Sequence, residues 1–176
     1  TASAIHHVLR RVAPGARLGG NITVSPLDFV DDLAPADPVV LELSSWQLGD
    51  LAGRGVLRPR VSVVTVLLPD HLDRYPGMDA YVEDKKAVFR EQDPDQHAVF
   101  NRDDPRQAAF SSETPARACW YSAAPLPPDL AGAWLDGGEG RLRAAPGAAP
   151  RTILAGTRLA GAHNRMNLLA AALAAA

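Results

Sequence analysis

A chain of 176 residues with 47% apolar side chains has enough material for one domain with a sizeable core, and it needs no disulfide to hold it. Its formal net charge of −2, with both signs scattered along the chain, excludes the basic stripe of a nucleic-acid binder. The single Cys119 excludes an internal disulfide, no Cys/His spacing resembles a zinc site, and no apolar run approaches the roughly 20 residues that span a bilayer, so a soluble cytoplasmic protein is expected.

In chain order, Ala4, Ile5, Val8, Leu9 and Val12 fall at helical spacing, and Pro14-Gly15 closes the segment. His6, His7, Arg10 and Arg11 read as the solvated face of that helix. Two runs rich in β-branched residues follow, Val39 to Leu43 and Val61 to Leu68, and their lack of clean alternation marks buried parallel strands. A helix from Met78 to about Glu91 precedes a third strand at Ala98-Val99-Phe100. This order predicts an α/β fold with a mostly parallel central sheet flanked by helices, occupying residues 1–109. Over 110–160 Pro and Gly become frequent and helical periodicity is lost, so a small antiparallel β region on the edge of the sheet is expected. A last helix begins near Asn164, within residues 161–176, and carries Met166, Leu168, Leu169, Ala172 and Leu173.

Ligands of open α/β sheets bind beyond the carboxyl ends of the strands. Three polar clusters fall there: Glu42 with Ser44, Ser45 and Gln47; Asp70 with His71; and Asn101 with Asp103 and Asp104. The last reads best as turn and capping residues. Glu42 does not, because a carboxylate within an apolar strand is costly to bury unless it is paired or serves a metal. For His71 both readings stand. Met78, Tyr81, Val82, Lys85, Val88 and Phe89 share one helical face, while Glu83, Lys86 and Arg90 point elsewhere. Lys85 therefore either packs its stem and sends its ammonium to solvent, or is an amine desolvated enough to react with carbon dioxide and present a carbamate to a metal.

Five segments taken together carry a resemblance: Glu42-Leu43-Ser44-Ser45-Trp46-Gln47-Leu48, Asp70-His71-Leu72-Asp73-Arg74-Tyr75, Tyr81-x-x-x-Lys85, Asn101-x-Asp103-Asp104 and His163-Asn164-x-x-Asn167. In this order and spacing the chain resembles the Mur ligases. Gly19-Gly20-Asn21 and the Ser-Ser-aromatic-Gln segment are most similar to the members that add D-glutamate. The resemblance implies a P-loop/Rossmann-like central ATP-binding domain over 1–176, cut at both ends. It also implies an ATP-dependent ligase that joins D-glutamate to UDP-N-acetylmuramoyl-L-alanine through an acyl phosphate. A monomer using ATP and Mg2+, with no nucleic-acid or membrane partner, is expected.

By the same resemblance Glu42 holds one magnesium, His71 and a carbamylated Lys85 hold a second, Asn21, Ser44 and Gln47 contact the muramyl substrate, and Asn164 and Asn167 contact adenine. Without the resemblance, Asn164 and Asn167 read as capping and first-turn residues of the last helix. The family's Gly-Lys-Thr phosphate loop is expected immediately before Thr1, and its terminal domains on either side, so the 176-residue piece alone is expected to be inactive. Val66, where relatives usually carry Asn, removes one polar contact, and Trp46 stands where phenylalanine is common. The competing readings are another amide ligase of the superfamily, such as a different Mur ligase or a folylpolyglutamate synthase, and a non-catalytic α/β binding module.

Overall fold

A computed structural model describes residues 1–22, 24–69, 75–156 and 161–176. Helix α1 (Ala2–Leu9) leads into β1 (Arg17–Gly20), which pairs in parallel with β2 (Val39–Glu42) as a two-stranded sheet. Helix α2 (Ser45–Leu51) follows, and the chain then enters a six-stranded sheet of β3 (Val61–Val63), β4 (His97–Asn101), β5 (Arg117–Ser122), β6 (Gly132–Asp136), β7 (Glu139–Arg143) and β8 (Arg151–Leu154), in that spatial order. Helix α3 (Met78–Arg90) connects β3 to β4, the short α4 (Pro105–Ala108) connects β4 to β5, and α5 (Ala162–Ala174) ends the chain.

Side-chain alternation builds a core on each face of the larger sheet. Ala98, Phe100, Trp120 and Trp134 face one way, meeting Tyr81, Val82 and Phe89 of α3 together with Phe110. Val99, Tyr121 and Ala133 face the other way and meet Leu169 and Ala170 of α5. Helix α1 packs on α5 and also on β1 and β2, so it joins the two sheets. A third cluster, Leu48, Leu57 and Ala87, seats α2 on α3.

Several expectations change. The strand expected from Val61 to Leu68 stops pairing after Val63, and Val66 and Leu68 are exposed. The two-face burial expected of the first run is incomplete: Val40 is buried and α1 packs on β2, but Val39 and Leu41 are exposed. The antiparallel region expected over 110–160 starts later. β5 pairs in parallel with β4, and β6 with β5, and only β6-β7-β8 is antiparallel. The reason lies in the connections. Gly137 and Gly138, with φ of 56° and 87°, form the tight turn that reverses the chain between β6 and β7. The Pro-rich link between β5 and β6 has no such pair of residues and carries the chain back to the end of the sheet at which β5 began. The last helix begins at Ala162 with Gly161 in the cap position, two residues before the expected start. Among the described residues no helix is long and apolar enough to cross a membrane.

Candidate active site

At the carboxyl end of the two-stranded sheet, Gly20 stands opposite Glu42, and the Asn21 amide donates to the Glu42 carbonyl at 2.8 Å. Gly20 has φ of 106°, and a Cβ there would lie 2.1 Å from that same carbonyl oxygen, so only glycine permits the approach. Asn21 is exposed and Glu42 half-buried. The Glu42 carboxylate enters no hydrogen bond or ion pair among the described residues, which leaves its oxygens available to a cation.

Helix α2 begins three residues beyond Glu42, with Ser44 as its N-terminal cap. Ser44 Oγ accepts from the Gln47 amide at 3.3 Å while Gln47 Oε1 accepts from the Ser44 amide at 2.9 Å, a reciprocal cap. Both side chains therefore start a helix, whatever else they touch. The Ser44 hydroxyl proton and the Gln47 Nε2 amide remain to donate outward.

Helix α3 lies against α2. Lys85 is half-buried, with Nζ 4.9 Å from the centroid of the buried Tyr81 ring. Tyr75 meets Tyr81 edge-on at 5.6 Å and donates to Asp84 at 2.8 Å. An open cleft here is lined by Trp46, Gly49, Asp50, Tyr75 and Asp84. Lys86, expected to point away from the face that carries Lys85, is only 16% exposed and is held by both oxygens of Glu113 at 2.8 and 2.9 Å. Its ammonium also sits 5.3 Å from the Phe110 ring. The segment before β5 folds back over α3, a tertiary contact that helical periodicity does not show.

Asp70 and His71 lie outside the described residues. The Asn101 cluster is structural: Asn101 Oδ1 accepts from the Asp103 amide, Asp103 accepts from Ser122 Oγ and the Ala123 amide, both at 2.7 Å, and Asp104 caps α4 through the Arg106 amide. Asn164 and Asn167 are half-buried in the first half of α5, and the capping reading of Asn164 gives way to Gly161. Among the described residues no three His, Cys, Asp or Glu side chains are grouped to hold a metal. The residues brought together are thus Asn21, Glu42, Ser44 and Gln47, with Lys85 on the helix packed against α2.

Sequence reasoning missed Gln107 and Tyr121, buried at 0% and 2% exposure and both bonded to the chain leaving β3. Gln107 lies three residues after the Asp104 cap, where a glutamine ordinarily returns to the cap amide. Here its Oε1 takes the Asn101 amide instead, at 2.8 Å.

Known proteins share both the sequence pattern and the fold. The family model described as Mur ligase middle domain matches residues 21–175. The UDP-N-acetylmuramoylalanine--D-glutamate ligase of Treponema pallidum (strain Nichols) is 42% identical over 136 residues, covering 70% of this chain and 26% of that protein. The ligase of the same name from Symbiobacterium thermophilum is 37% identical over 174 residues, covering 99% of this chain and 37% of that one. The chain thus spans well under half the length of these relatives. Among solved structures, MurF from Acinetobacter baumannii superposes with a TM-score of 0.66 at 16% identity, covering 99% of this chain and 38% of that chain. MurF from Thermotoga maritima, solved in complex with ADP, gives a TM-score of 0.62 at 15% identity, with 96% and 41% covered. Likeness at such identity shows the fold alone, a mostly parallel sheet flanked by helices.

Proposed function

The chain belongs to the Mur ligase middle-domain family, and on that premise we propose that it is the ATP-handling centre of a longer ligase that adds D-glutamate to UDP-N-acetylmuramoyl-L-alanine for peptidoglycan precursor synthesis. The observation that carries this reading is the similarity to D-glutamate ligases along nearly the whole chain. A carboxylate is a poor electrophile, so the reaction needs a phosphoryl leaving group on the muramyl-peptide carboxylate before the amine of D-glutamate attacks. Magnesium, when bound, offsets the charge gathered around the transferring phosphoryl.

The donor chemistry fits that ion. Mg2+ is commonly held by one or two carboxylates with waters and substrate phosphates, so a site without a preformed acidic cluster is suitable. Glu42, half-buried and without a protein partner among the described residues, supports the role of one ligand. His71 and Lys85 would provide the second site, His71 on the strength of its motif and Lys85 as a carbamate. In that modification the neutral amine attacks carbon dioxide, a nitrogen–carbon bond forms and one proton leaves to water. The choice of Lys85 gains support from its neighbour, since the Lys86 ammonium is already held by Glu113. Asn21, Ser44 and Gln47 would meet the muramyl substrate, Ser44 and Gln47 through the donors their cap leaves over. The carboxamides of Asn164 and Asn167, each a donor and an acceptor, match the edge of adenine.

In the intact protein Lys85→Ala is expected to slow ligation by about a hundredfold, with partial recovery on adding a short carboxylic acid. Ligation at the parent rate would overturn the carbamate role. An intact protein that adds L-lysine, meso-diaminopimelate or L-alanine but not D-glutamate would overturn the substrate assignment.

A further inference from the structure

β2 is one edge of the smaller sheet and β3 one edge of the larger, and neither edge is paired among the described residues. In β2 the Pro38 and Glu42 carbonyls accept from the Arg17 and Asn21 amides at 2.9 and 2.8 Å, so Val39 and Leu41 turn their own amides and carbonyls to the other side. In β3 the Arg60 carbonyl accepts from the His97 amide and the Val64 amide donates to the Val99 carbonyl, both at 3.0 Å. Val61 and Val63 therefore turn theirs outward in the same way. None of these outward groups has a partner among the described residues. Open edges ordinarily carry a charge, a proline or a bulge that prevents stray pairing. Here the four outward residues are all apolar, and Val39, Leu41 and Val61 are exposed.

The helices run across from one sheet to the other. Helix α1 packs on β1 and β2 and also on α5, which packs on β3; on the opposite face α2, which follows β2, packs on α3. The order β2–α2–β3 is a strand–helix–strand unit, yet its two strands do not pair, which leaves a place between them. Such connections are right-handed. Helix α3 carries the chain from β3 to β4 over one face, and α1 lies with α5 over the other. A strand that fed α1 and led on to β1 would thus step the opposite way, and so lie on the β3 side of β1. β2 already fills the place beside β1, and the next place is the gap.

We infer that the gap between β2 and β3 is a strand-binding site, filled in the intact protein by a parallel strand from the residues directly preceding Thr1. This strand pairs with both open edges and makes one continuous sheet of the two, which fixes Glu42 on β2 relative to α3 and its Lys85. The inference takes from the proposed function only that the chain is part of a longer protein, and the metal and substrate roles can fail without it.

The test uses the intact protein with Cys119→Ala, which removes the one thiol of this chain. Leu41→Cys and Val63→Cys are made singly, each with a second cysteine moved along the segment directly before Thr1, and mild oxidation is followed by mass mapping. Neighbouring strands lie about 4.8 Å apart, within disulfide reach, so each is expected to form an intramolecular bond to that segment. Leu41→Cys with Val63→Cys alone is expected to form none, because a strand between them holds β2 and β3 about 10 Å apart. Thr152→Cys on β8, the opposite edge of the larger sheet, is expected to form none with the segment. Amide exchange in the parent needs no substitution: the Val39, Leu41, Val61 and Val63 amides are expected to exchange at least about a hundredfold more slowly than open strand edges do. Free exchange there overturns the inference. So does a direct bond between positions 41 and 63, a covalent dimer through either cysteine, or a bond to the segment from only one of the two strands. If the disulfides form as expected in a protein that does not add D-glutamate, the proposed function falls and this inference stands. If none forms in a protein that ligates at the parent rate, only this inference falls.

Discussion

Gly20 shows how little space separates a strand pair from a site. A methyl group at this position would sit 2.1 Å from the Glu42 carbonyl oxygen and 3.0 Å from its carbon, on a backbone whose φ of 106° already excludes most side chains. Both atoms belong to backbone within the β1–β2 pair, so neither can swing aside as a side chain would. Gly20→Ala is expected to cost at least about 2 kcal/mol in urea unfolding, because the strained backbone and the clash add. In the intact protein it should also weaken magnesium-dependent ATP binding, since Asn21 and Glu42 lose their register. A variant with parent stability would show that the pair opens freely here. The sequence shows Gly19-Gly20-Asn21 as a motif, but the reason for the second glycine is a cross-strand distance. Ser44 and Gln47 are the opposite case: Ser-x-x-Gln spells out a helix cap by itself, and the structure realises it.

Among the elements, β4 was the most readable, since a short run of apolar residues can be buried on both sides. Ala98 and Phe100 face α3, and Val99 faces α5. Phe100 is fully buried, with ring centroids 5.1 Å from Phe89, 5.8 Å from Phe110 and 5.8 Å from Trp120. Four aromatic rings from α3, β4, β5 and the segment before β5 thus meet at one point, and Phe100 lies between the other three. Phe100→Ala is expected to destabilise the protein by about 3–5 kcal/mol, measured from denaturant midpoints, because the rigid rings around it cannot close the cavity. A loss under about 1 kcal/mol would mean the cluster collapses freely. Strand ends and directions were less readable. The run from Val61 to Leu68 has the composition of one strand, but only three residues pair, because Val64 and Thr65 are held by side chains from α4 and β5. Whether β5 and β6 run parallel depends on where a Pro-rich link delivers the chain, which local composition does not encode.

Across the whole molecule, the α/β class was legible because it arises from local patterns repeated along the chain, and so was the place of Glu42 at the end of β2. The bracing between distant segments was not, and the ion network over α3 is its clearest instance. Glu83 and Arg90 of α3 pair with each other, Arg90 Nη2 reaches Glu113 at 3.0 Å, and Lys86 reaches it at 2.8 Å, tying the helix to the segment before β5. The hydrogen bond from Arg90 holds the Glu83 carboxyl below its ordinary value of 4.5. For Glu113 burial acts in the opposite direction, but the bonds from Lys86 and Arg90 together outweigh it, and its carboxyl is also held below 4.5. A carboxyl whose folded value lies below its unfolded one adds stability that is fully present above the unfolded value and is lost as pH falls through the folded one. The network therefore stabilises the fold above about pH 4.5 and fades below it. Glu113→Gln is expected to lower stability by about 1 kcal/mol at pH 7, the scale of a partly screened ion pair. The gap from the parent should narrow as pH is taken from 4.5 towards 3, where the parent's own carboxylate is neutralised. Urea midpoints of both proteins across pH 3 to 7 test this. A gap that stayed constant over that range would show that Glu113 acts through packing or neutral hydrogen bonding, and that its charge contributes nothing to holding α3 in place.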